Sequence, residues 1–195
     1  MNQPRNAPPS DEQLAVPSTP PRKPPVVIGL LILVLVAVLT SAIGSVLVYS
    51  GGATMAEENL IAAIDESPEG REISRGMSST ELQEMMGPEF WDTMVAERQD
   101  TMSARASMAI FLSTLLLVFG LLALNSALWA RILITIVIPF AVFPHMLITE
   151  DYPPAMLETL SMISVWTALL AIAFCWLPGH GKHSRAVKQA RSSTA

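Results

Sequence analysis

Charge is scarce in this chain, and it is missing altogether from four long stretches. No Asp, Glu, Lys or Arg occurs between Lys23 and Glu57, between Arg105 and Arg131, over 132–149 or over 159–177, and only 15% of the 195 residues are charged. About 20 apolar residues cross a bilayer core, where one charged side chain costs about 2.5–3.5 kcal/mol. The stretches therefore read as four membrane spans, at 25–49, 106–128, 132–149 and 159–177, and an ordinary soluble domain is excluded. Cysteine is nearly absent: Cys175 is the only one, so no internal disulfide is possible, and it lies within an apolar run. Positive charge is also short, 12 Lys and Arg against 17 Asp and Glu for a net charge of -5. That balance gives no basic field for nucleic acid. No nucleophile paired with a base, no glycine-rich phosphate loop and no zinc-ligand spacing is found, which speaks against an enzyme and against a cofactor or metal site.

What charge there is falls unevenly. Both tails and the 125–131 connection carry Arg5, Arg22, Lys23, Arg131, Lys182, Arg185, Lys188 and Arg191, against Asp11 and Glu12 alone. Residues 50–105 and 150–158 carry Arg71, Arg75, Arg98 and Arg105 against fifteen acids. Lys and Arg concentrate on the cytoplasmic side of membrane proteins. The expectation is a plasma-membrane protein with both termini cytoplasmic and an acidic extracytoplasmic segment at 50–105. The first run exceeds the roughly 7–15 apolar residues of a signal-peptide core, and residues 51–56 offer no small-x-small cleavage pattern, so it reads as a retained anchor. Arg131 is expected to hold the tight turn between the second and third spans in water. Trp129 and Trp176, near span ends, fit the headgroup layer, where an indole is half apolar and half wet.

Residues 1–24 hold Pro4, Pro8, Pro9, Pro17, Pro20, Pro21 and Pro24 with few large apolar side chains, the composition of a disordered arm, and 178–195 reads as a basic tail near lipid head groups. The 50–105 segment reads as helical. Leu60, Ile61 and Ile64 share a face, Ser67-Pro68-Glu69-Gly70 interrupts it, and "SSTELQEMMG" signals another helix, with Thr80 and Gln83 at capping-box spacing. Gly87-Pro88 ends that helix, and a continuous helix is expected from Pro88 into the second span. Such short amphipathic helices must bury their apolar faces on one another, on the bilayer or on a partner. Phe90, Trp91, Met85 and Met86 are the candidate partner contacts; packing of Phe90 and Trp91 on the first short helix is the alternative.

Three further features carry competing readings. Met55, Met77, Met85, Met86, Met94 and Met102 with His145-Met146 raise the possibility of a soft copper ion, yet lack dense Met-x-Met clustering, and methionine commonly fills adaptable helix surfaces. The acids form no calcium loop and read as a solvated face. His145 reads as an interfacial side chain snorkelling toward water, with a transport path flanked by His145 and Pro139 as the rival, since Pro139 and Pro144 should kink that span. Ala37, Ser41 and Ser45, with Thr40 and Gly44 beside them, form a stripe of small residues expected to pack on the other spans or on a second subunit.

At "LNSALWARILITIV" and "CWLPGHGKHSRA" the chain resembles a loosely defined group of uncharacterised actinobacterial four-helix membrane proteins, over most of residues 20–185. The likeness implies a Pro-rich arm, a W-A-R turn before the third span and a W-L-P stop before a polar tail. It implies no catalytic residue and no activity. The expected fold is all-α, an integral membrane four-helix bundle with a helical extracytoplasmic segment. The expected role is non-enzymatic: an accessory subunit contacting other membrane proteins, or itself, in a respiratory or cell-envelope complex. A transporter of ions or small molecules, or a metal-responsive sensor, is the alternative.

Overall fold

The computed structural model describes residues 24–124 and 128–178. Every regular element among them is helical: α1 (Pro25–Glu66), α2 (Pro68–Ile73), α3 (Ser79–Met86), α4 (Pro88–Ala123), α5 (Leu128–Glu150) and α6 (Ala155–Cys175). Four of these, α1, α4, α5 and α6, are long and apolar enough to cross a membrane. The tails and residues 125–127 lie outside the described residues, and with them the Pro-rich arm, the basic tail and the centre of the α4–α5 turn.

The long helices pack in a ring, each on its chain neighbour, with α1 closing on α6. Leu30, Val34, Leu116, Ile134, Ile138 and Ala171 form the main core. Lipid tails are as apolar as leucine, so burying apolar area does not hold spans together; close approach of small residues and interhelical hydrogen bonds do. The Ala37–Ser41–Ser45 stripe does this within the chain. Ser45 Oγ donates to the Ala106 carbonyl at 3.2 Å, Ser113 Oγ donates to Ser41 Oγ at 2.8 Å, and Ser164 Oγ donates to the Ala37 carbonyl at 3.3 Å. On α4, Gly120 lets Val34 approach so closely that a Cβ would stand 2.9 Å from its Cγ1. Large side chains such as Phe111, Phe140, Phe143 and Trp166 face outward.

Several helix bounds differ from the expected spans, among them α6, which starts at Ala155, four residues before the expected 159. The first span and the first short helix are one element, α1, bent at Gly52, where φ 51° and ψ -136° suit a residue with no Cβ. The expected third span starts at 132, after a 125–131 connection. Helix α5 already begins at Leu128, so Trp129 and Arg131 stand in its first turns. Helix α4 does run unbroken from Pro88, as expected. Helix α5 continues through Pro139 and Pro144. The capping box sits two residues before the expected pair: Ser78 Oγ accepts from Glu81 N and the Glu81 carboxylate accepts from Ser78 N at 2.8 Å. The next residue, Ser79, donates from N and Oγ to the Asp65 carboxylate, which ties this end of α3 to α1.

Candidate functional site

The half of α1 beyond Gly52, α2, α3 and the first half of α4 form a head on one end of the bundle. Its small core holds Ala56, Ile64, Trp91 and Val95. Trp91 is only 2% exposed and its Nε1 donates to Glu57 Oε1 at 3.1 Å, so this indole is bound to α1 and withdrawn from the surface. That corrects its place among the partner contacts: the alternative of packing on the first short helix is what it does. Phe90 and Met85 are 52% and 63% exposed, and Met86 is half-buried. Phe90 and Met86 line an apolar groove of about 540 Å³ with Leu60, Ile64, Ile73 and Met94. Ile73, which the sequence reading passed over, is 84% exposed. Its signal was available: an isoleucine in a short segment that is otherwise polar, "PEGREISRG".

Below the head lies a polar cluster absent from the sequence reading. Asn59, 2% exposed on α1, donates from Nδ2 to the Asp151 and Tyr152 carbonyls at 2.6 and 3.0 Å. Its Oδ1 accepts from Arg98 Nε at 2.6 Å. Arg98 and Arg105, both on α4, converge on the Asp151 carboxylate, and Arg105 Nη1 also donates to the Leu147 carbonyl at 3.2 Å. The cluster ties α1 and α4 to the α5–α6 loop, where Tyr152 takes a positive φ of 54°. The i, i+7 spacing of Arg98 and Arg105 puts both on one helix face, and that was legible. Their convergence on Asp151, about 50 residues away along the chain, was not.

His145 is 6% exposed and faces the bundle interior, which overturns the snorkelling reading. Its Nε2 lies 3.1 Å from Ser164 Oγ on α6. Pro139 is exposed on the outer surface and therefore does not flank an interior path with His145. Met86 and Met94 line the head groove while His145 lines a cavity in the bundle, so these two thioethers do not share a site with the imidazole.

At the opposite end, Arg131 does not simply hold a turn in water. It is half-buried and its Nη1 donates to the Cys175 carbonyl at 3.2 Å, where the unsatisfied carbonyls and negative dipole end of α6 favour a cation. Trp129 and Trp176 are half exposed, and Trp176 Nε1 donates to Thr135 Oγ1 at 3.2 Å. No protein-family model, no curated protein and no solved structure matches this chain.

Proposed function

We propose that this chain is a non-enzymatic accessory subunit of a plasma-membrane complex, anchored by its four spans, with the head outside the cell and both termini in the cytoplasm. The observation that carries the reading is the apolar groove. It lies beyond Gly52 and at the outer half of α4, away from the charge-free stretches, so lipid tails are not its natural cover. Its occupant is an amphipathic helix of another membrane protein, apolar stripe inward and Lys or Arg on the flanks. Charge argues for that chemistry: residues 50–105 hold twelve acids and four arginines, two of which, Arg98 and Arg105, are engaged with Asp151. A groove of this kind binds an apolar helix face while acids around it select basic flanks. The resemblance to actinobacterial four-span proteins fits the four-span anchor, while the acidic helical segment is longer than that group's pattern requires and no activity comes with the likeness.

The test places a photo-crosslinking residue at Phe90 in the full chain in native membranes, with Phe143 as the lipid-facing control. The expected result is one stoichiometric protein adduct at Phe90, mapped to a basic-flanked helix and lost with Ile73→Asp. Lipid adducts alone at both positions would overturn the reading.

A further inference from the structure

The bundle interior holds a feature independent of whatever occupies the head groove. Ser164 Oγ owns one hydrogen and donates it to the Ala37 carbonyl, which only accepts. Toward His145 Nε2, Ser164 then accepts, and the tautomer that satisfies both contacts carries the imidazole hydrogen on Nε2. The other ring nitrogen, Nδ1, is then a bare lone pair. It is buried and has no protein partner. His145 lines a cavity whose polar walls are Thr40, Ser41, Ser45 and Ser161. The cavity offers about 10 Å³ to the centre of a water molecule, the room one water needs, and a second of the same size lies beside it, sharing Val48, Ile148 and Leu157 as walls. The outer cavity is lined by Asn59, Arg105 and Asp151, at the head end of the bundle.

We propose that His145 is a proton-accepting site inside the bundle, served by water from the head end. One water in the inner cavity donates to Nδ1, and one in the outer cavity joins it to Arg105 and Asp151. A hydronium reaching the inner cavity gives its proton to the Nδ1 lone pair and remains as water. Both ring nitrogens then donate, Nε2 still to Ser164. The charged surroundings are simple. Helix α1 and the inner turns of α4 and α6 present no ionisable side chain to the inner cavity; Arg105 and Asp151 line the outer one, while Glu150 on α5 and Glu158 on α6 are exposed. The head-end arginines keep the resting proton occupancy of the water path low, and Asp151 offsets them.

The experiment uses the full chain in lipid nanodiscs with His180→Gln and His183→Gln, which leaves His145 as the only histidine. Ring-nitrogen magnetic resonance is recorded from about pH 8 to about pH 4, a range in which a hydrated histidine changes charge. The expected result is the Nε2-protonated tautomer at the high end, an Nδ1 signal moving to the imidazolium position on acidification, and a water exchange peak at the ring. Ala109→Ile, which fills the inner cavity, abolishes the exchange peak while helix content is kept. An Nδ1-protonated ring, or signals constant over the whole range with no water exchange, would overturn the proposal, and so would an exchange peak that survives the filled cavity.

Discussion

In the bundle the inward residues are small, Ala37, Ser41, Ser45, Ala109 and Ser113, while Phe111, Phe140, Phe143 and Trp166 point out; in the head the largest buried side chain is Trp91. The two regions solve different solvent problems. Lipid tolerates large apolar side chains on the outside, so the interior can be given to short hydroxyls and alanines that bring backbones together. The head, which lies beyond the charge-free stretches, gathers only a few residues around one indole to cover its apolar area. Ile73, Met85 and Phe90 remain uncovered. An apolar surface in the bundle is expected from its solvent; the same surface in the head is the one the proposed partner helix would cover.

The largest effect that separates the regions is loss of the indole. Trp91→Ala should cost about 3–5 kcal/mol, as large-to-small changes in a packed core do. Hydrogen exchange should then show protection lost from 56–66 and 79–95 while α5 and α6 stay protected. Simultaneous loss in all four long helices would mean that head and bundle are one cooperative unit. Gly52 sits at the joint between them. Gly52→Ala forces a Cβ into a positive-φ conformation and should cost about 1–3 kcal/mol, read as a lower thermal midpoint in detergent. An unchanged midpoint would mean that the joint relaxes freely and that the bend is incidental.

The smallest effect concerns the end of the head. Hydrogen bonds from the backbone and side chain of Ser78 hold the Glu81 carboxyl below its ordinary value of 4.5. A carboxyl depressed in the folded state stabilises above its unfolded value, and that contribution disappears as pH falls through the folded value. The first turn of α3 should therefore fray only below about pH 4.5, in amide exchange at 79–82, with α4 unaffected. Glu81→Gln, which can still accept from Ser78 N, should remove most of the pH dependence and little of the protection.

Several features needed only the order of residues. Charge-free stretches are a one-dimensional signal, because the bilayer asks the same of every residue in a span. So are the breaks at Ser67-Pro68 and Gly87-Pro88, which act on their own backbone, and the unbroken helix after Pro88. The inward face of α1 was also readable, since small residues every fourth position share a stripe. Other features came from tertiary structure alone. Whether Trp91 faces a partner or α1, whether His145 snorkels or turns inward, and whether Arg131 holds a turn or the end of α6 each depend on a neighbour far along the chain: Glu57, Ser164 and Cys175. Helical periodicity states which residues share a face, but the rotation of that face toward lipid, water or another helix is fixed by packing between helices, and no local pattern carries that angle.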